Sequence, residues 1–201
     1  MYLTTILTRA FSGLACTSMV AMALPLDTIP IDNMVAREFT ASDGRLTTVH
    51  VNRALDFVAV PKGTASPRLS PRLSFTAGRD DDYCSETDPT ETFGDDAPLA
   101  SDCTAIKNYM ETITGYYTVS PSDFNTPSGW AIIASSGTCS FGVKFQLPAD
   151  TKTLVIGTND VHFYVQGYVA HAQNGRIKAV GTISCNNNRE VLYLFWGMIH
   201  S

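Results

Sequence analysis

The chain has 201 residues, with 14 lysines and arginines against 19 aspartates and glutamates, for a formal net charge of −5. This mild acidity argues against a nucleic-acid surface or an anionic-membrane surface, both of which need a basic patch. It singles out no partner of its own.

The N-terminal stretch bears on the compartment. Arg9 is the only charged residue before Asp27, and residues 11–22 (FSGLACTSMVAM) form an apolar run of the length of a signal-peptide core. Ala21 and Ala23 put small residues at the −3 and −1 positions of a cleavage site, so residues 1–23 are expected to be removed and the mature chain to begin at Leu24. A membrane anchor needs about 20 apolar residues, more than this run supplies. No other segment is long and apolar enough, so a secreted, extracellular protein without stable membrane insertion is expected.

Cysteine usage agrees with export. Of five cysteines, Cys16 leaves with the signal peptide, and Cys84, Cys103, Cys139 and Cys185 remain. Four in a secreted domain suggest two disulfides, with three possible connectivities. No two cysteines have zinc-ligand spacing and no His-x₃₋₅-His pair exists, so neither metal nor cofactor is expected. No Asn-x-Ser/Thr sequon occurs.

Residues 24–60 contain strand-like patches, as in 46–60 (LTTVHVNRALDFVAV), but no cysteine. A propeptide, a disordered arm and an extra strand on the core compete, and composition favours the first two. Residues 61–82 carry the tandem Ser66-Pro67-Arg68-Leu69 and Ser70-Pro71-Arg72-Leu73 and end in Asp80-Asp81-Asp82. Such a segment buries too little to offset its ordering entropy, so a linker with a solvated charge run is expected, and 24–82 counts as propeptide or disordered linker.

The domain proper is expected over 83–201. A first helix begins at Ser101-Asp102, with Ser101 as N-cap and Asp102 near the positive end of the dipole. Cys103, Ile106, Met110 and Ile113 share one helical face, and Gly115 is a natural stop. Residues 130–134 and 138–145 form strands joined at Ser135-Ser136-Gly137, a hairpin. A second helix is capped by Thr158 or Asn159, carries Asp160 in its first turn, buries Val161, Tyr164, Val165, Tyr168, Val169 and Ala172, and stops at Asn174-Gly175. Residues 176–185 alternate as a strand, Asn186-Asn187-Asn188 turn, and the continuously apolar 191–199 (VLYLFWGMI) form a strand that is central or covered on both faces. The sum is α+β: a small disulfide-stapled sandwich, an antiparallel sheet with two helices packed on one face. Cys103–Cys139 would tie the first helix to the hairpin and Cys84–Cys185 the start of the domain to its sheet; this pairing is preferred while the other two stay open.

Six blocks in this region resemble a known family. They are Tyr83-Cys84 with Glu91-Thr92-Phe93, then Ser101-Asp102-Cys103-Thr104-Ala105-Ile106, Gly129-Trp130, Gly137-Thr138-Cys139-Ser140-Phe141-Gly142-Val143, Ile156-Gly157-Thr158-Asn159-Asp160-Val161, and the run from Gly175 to Cys185. In this order, with four cysteines among them, they resemble the secreted fungal necrosis-inducing effectors, homologues of extracellular protein 2 of the tomato leaf-mould fungus. The resemblance spans 84–201 and implies a secreted fungal effector associated with host cell death or virulence. Some members are fused to chitinase-like modules, and the helix-on-sheet layout looks like that of a virally encoded killer toxin of smut fungi. It carries over no catalytic residue. The loop 145–153 and Asn186–Asn188 depart from the family pattern.

The chemistry-bearing residues point away from an enzyme. His162 and His171 lie nine residues apart on one helix, a rotation of about 900°, so they face opposite ways. Glu190 and His200 lie too far apart along one strand for a ribonuclease pair, and His50 has no companion. There is no Gly-x-Ser-x-Gly. Glu86, Asp88, Glu91, Asp95 and Asp96 suggest a solvated loop, with Ca²⁺ the only candidate ion and no EF-hand spacing. Trp130, Trp196, Phe195, Tyr193, Tyr164 and Tyr168 are assigned to the core, and Tyr116-Tyr117 to the surface. Two functions remain: an effector or killer-toxin-like protein that binds a host or competitor surface target, and a module that binds chitin or other cell-wall carbohydrate.

Overall fold

The computed structural model describes residues 33–59, 82–85, 88–146, 152–187 and 190–201. The expected signal peptide, the tandem repeat, Glu86 and most of the loop 145–153 lie outside them. Among the described residues, ten strands and two α-helices follow in order: β1 Met34–Thr40, β2 Leu46–Asn52, β3 Asp56–Ala59, β4 Thr90–Thr92, α1 Ala100–Thr112, β5 Gly115–Val119, β6 Ala131–Ser136, β7 Cys139–Phe145, β8 Leu154–Gly157, α2 Thr158–Val169, β9 Lys178–Asn187 and β10 Glu190–His200, with a short 3-10 helix Pro121–Phe124 between β5 and β6.

Alternation along β10 explains the large sheet. Leu192, Leu194, Trp196 and Met198 point inward and are buried, as are Phe141 and Val143 on β7 and Ala179 and Ile183 on β9. These faces line up because Trp196 opposes Val143 on one side and Gly181 on the other. The sheet has seven antiparallel strands in the order β1-β2-β6-β7-β10-β9-β4. Both helices pack on its inner face. Tyr164 of α2 stacks on Trp196 with ring centroids 4.8 Å apart, and Ile106 and Met110 of α1 are buried beside them. A second sheet, β3-β5-β8, flanks the helices. The α+β layout with helices on one sheet face is therefore as the periodicities predict.

Two disulfides, Cys103–Cys139 and Cys84–Cys185, give the preferred connectivity. Beside the first, Asp102 accepts hydrogen bonds from the Thr138 N–H at 2.7 Å and the Thr138 hydroxyl at 2.8 Å. Asp102 thus fastens α1 to the β6–β7 turn. Ser101 is not the cap: the N-cap is Leu99, and its N–H donates to Thr138 Oγ1 at 2.8 Å.

Other local expectations shift as well. The α2 cap is Gly157, whose N–H donates to Asp160 at 2.8 Å, while Thr158 Oγ1 accepts from the Gly115 N–H. The helix ends at Val169. Asn174 (φ 52°) and Gly175 (φ 74°) instead form a tight turn closed by mutual Gln173–Arg176 hydrogen bonds, a type I′ geometry. Tyr117 is 1 % exposed, not a surface residue, because β5 is the middle strand of the second sheet. Asp82 is buried rather than solvated.

The largest difference concerns the arm. Composition favours a propeptide or disordered linker over 24–82, yet residues 33–59 form three strands on the core. β1 and β2 make a hairpin that adds to the large sheet at His50↔Ser135 and Val51↔Ala134. β3 pairs with β5 from Asp56↔Thr118 to Ala59↔Gly115. Gly115 does more than stop a helix: a Cβ there would strike the Val58 carbonyl and come within 2.8 Å of the Phe57 ring. Only glycine lets β3 lie so close.

Candidate functional site

The four histidines of the sequence do not converge. His162 Nδ1 lies 3.3 Å from the Lys107 carbonyl, His200 Nδ1 lies 2.9 Å from the Ser201 carbonyl, and His50 sits on β2. His171 pairs with Glu91 at 2.7 Å, but on open surface, joining the end of α2 to β4. Asp88, Asp95 and Asp96 are exposed. Among the described residues, no three His, Cys, Asp or Glu side chains are grouped to hold a metal ion.

The six aromatics assigned to the core divide instead by sheet face. Trp196 and Tyr164 are fully buried and Tyr168 packs against Trp196. Trp130, Phe195 and Tyr193 belong to the opposite, outer face, which no helix among the described residues covers. Tyr193 is 64 % exposed and Val191 48 %. Phe195 and Trp130 are half-buried.

Register builds this face. Gly197 of β10 opposes Gly142 of β7, and both point outward because their neighbours point in. The benzo edge of Trp130 fills the space these glycines leave: a Cβ on Gly197 would lie 3.1 Å from the Trp130 Cη2, and one on Gly142 would lie 3.5 Å from its Cε3. Phe195 and Tyr193 follow along β10. Across from Phe195 stands Lys144, whose ammonium donates to the Ser128 carbonyl at 3.0 Å and so stays beside the turn that carries Trp130. On the other flank, Thr182 and Ser184 of β9 oppose Phe195 and Tyr193. The result is a strip of exposed and half-exposed aromatics bounded by hydroxyls and one cation. It can stack flat apolar or sugar surfaces and offer hydrogen bonds at its edges.

The signal for this face was present in 191–199, where the apolar run is too continuous for a strand with one solvated side. Sequence reasoning read it as a strand that is central or covered on both faces; it is central, between β7 and β9, and among the described residues its outer side is open.

A second charged feature lies inside. Asp160 is fully buried and accepts from the N–H groups of Tyr83, Cys84 and Gly157 at 2.8–3.1 Å. Burial pushes its carboxyl well above the usual range; the Tyr83 N–H pulls it back and the Asp82 charge pushes it further. These bonds hold the start of the cysteine domain, at Tyr83 and Cys84, against α2, so the group has a structural task.

The family model of Hce2, described as pathogen effectors and candidate necrosis-inducing factors, matches residues 83–185. The chain belongs to this effector family. The match covers just over half of the 201 residues and contains all four bridging cysteines, Trp130, Gly142 and Lys144. It begins after the arm and ends before β10, so Phe195 and Tyr193 lie beyond the matched Hce2 segment. No curated protein matches the chain. Effector membership and the two disulfides fit an extracellular protein, and among the described residues no helix is long and apolar enough to cross a membrane.

Proposed function

We propose that the protein is a secreted effector that promotes cell death by binding a host or competitor surface target, without catalysis, through the outer face of its large sheet. The observation that carries this reading is Tyr193, a large side chain 64 % exposed on β10 between the buried Leu192 and Leu194. Membership in the Hce2 family supports the effector role, and the two disulfides support action outside the cell.

Infiltration of purified oxidised protein into leaf tissue tests it, beside a reduced and alkylated sample and a Tyr193→Ala variant. Necrosis from the native protein alone supports the proposal. Full activity of the variant would exclude this face, and equal activity of the reduced sample would exclude a fold-dependent toxin.

The same aromatic strip favours a second reading, a module that binds chitin or other cell-wall glycan, since sugars stack on aromatic rings. Retention on chitin that is displaced by chitin oligosaccharide, and lost in Tyr193→Ala, would select it.

A further inference from the structure

On the other side of the large sheet, the arm and the core line a half-open cavity of about 210 Å³. Its walls come from β1, β2 and β3 of the arm and from α1 and β5 of the core, and the apolar part includes Leu55, Ile113 and Tyr117. The match to the Hce2 family begins at residue 83, so seven of the ten residues lining this cavity belong to a segment outside the matched region.

Two arginines, Arg37 and Arg53, are among its lining residues. Along β1, Val35, Arg37 and Phe39 share one face, and Phe39 is buried against Tyr109 of α1 at 5.7 Å. Arg37 therefore stands at an inward-facing register position between two apolar neighbours. Among the described residues it has neither a hydrogen-bond nor an ion-pair partner. Its charge is felt at the two phenols opposite: burial pushes both Tyr109 and Tyr117 up, and Arg37 pulls both back. The Tyr117 ring is 1 % exposed, and its hydroxyl meets only the Met110 sulfur, at 3.9 Å. Arg37 is exposed, and with Arg53 and Asn52 it gives the space a polar, cationic edge beside aliphatic and aromatic walls, which matches an amphipathic anion.

We propose that this cavity binds a small carboxylate with a ring-sized apolar body, the carboxylate on Arg37 and the body against Tyr109, Ile113 and Tyr117. Size supports this class. A dry cavity of about 150 Å³ is enough for benzene, so this half-open space admits a ring with a short acid tail. The site needs the arm, and it lies on the opposite side of the sheet from the aromatic strip, so it is independent of the binding face proposed above.

Phenylacetate is the probe, with 2-phenylethanol as its neutral counterpart, titrated into the full oxidised chain by ligand-observed NMR. Binding with a Kd on the order of 0.1–1 mM is expected, with nuclear Overhauser contacts from the ring to the Ile113 methyls. The alcohol should bind at least about tenfold more weakly, and Arg37→Gln should weaken the acid by a similar factor, as loss of a charge-assisted pair does. Arg37 is exposed at an edge strand, so this variant should keep the wild-type melting temperature. Val35→Phe, which fills the rim of the cavity, should abolish binding. Absence of saturation by phenylacetate at about ten times the upper expected Kd would overturn the proposal. So would equal affinity for acid and alcohol, or binding that neither variant changes.

Discussion

Replacing Cys103 and Cys139 together by alanine removes the bridge that spans 36 residues between α1 and β7. Loop-closure entropy for a ring of that length is worth about 4 kcal/mol at 25 °C. The contact that remains is informative. Asp102 still holds the Thr138 N–H and hydroxyl, so the native helix stays docked and the loss falls chiefly on the unfolded chain. Urea unfolding followed by near-UV circular dichroism should give a loss of about 3–4 kcal/mol with a larger m value, since the unfolded chain is freed to expand. The melting temperature should fall by about 8–15 °C. Cys84 and Cys185 enclose 101 residues, and once the inner bridge has formed the effective loop is nearer 65, so their removal should cost as much or slightly more. A loss under about 1 kcal/mol with an unchanged m value would refute this reasoning and move the stability to the packed core alone.

Other consequences are open to direct measurement. Gly197→Ala puts a methyl 3.1 Å from the Trp130 ring and 3.0 Å from an Ile199 methyl, so the indole must shift; the expected result is a cost of about 1–2 kcal/mol and a moved Trp130 indole N–H resonance. Asp160 binds its proton more tightly in the folded than in the unfolded chain. Its stabilising contribution is therefore fully present below the unfolded value, near pH 4, and is lost as pH rises through the folded value. The difference in urea midpoint between wild type and Asp160→Asn should shrink as pH rises through that window, and a difference independent of pH would contradict the assignment. The arm has no cysteine and is held without a covalent link, by strand pairing at β2–β6 and β3–β5 and by burial of Phe39, Val49 and Leu55 in the core. A specific protease site placed within residues 66–73 should therefore give two fragments that co-elute on gel filtration without denaturant, and separation of the pieces would show that pairing insufficient.

The core was legible because its residues obey simple periods. Cys103, Ile106 and Met110 fall on one helical face, and Ile177, Ala179 and Ile183 on one strand face, and all are buried as those spacings require. The arm was not legible, since composition over 24–82 mixes a polar, proline-bearing stretch with the strand-forming 34–59. Averaging the two hides the pattern, and pairing to β6 and β5 is a long-range event that local sequence does not encode. The cap of α2 was missed for a related reason. Asp160 reaches back to Gly157 while also serving Tyr83 and Cys84, more than 70 residues earlier in the chain, so a tertiary contact rather than a local capping preference decided the boundary. For the candidate site, all three aromatics were visible as residues. Their division from Trp196 and Tyr164 depended on register and on which face the helices cover.

That division bears on what the outer face is for. A layer of protein covering the face would be met by apolar side chains on every strand beneath it. Here the exposed apolar residues at this level are confined to β10, while Thr182 and Ser184 stand beside Phe195 and Tyr193 on β9 and Lys144 on β7. Neighbouring strands in a sheet are about 4.8 Å apart, so a strip one strand wide matches a narrow, extended partner better than a broad packed surface. Trp130 sits at one end of the strip on its glycine pair and Val191 lies at the other. An extended peptide or a linear glycan fits that shape, with the flanking hydroxyls and the Lys144 ammonium at the edges where polar groups of such a chain would fall.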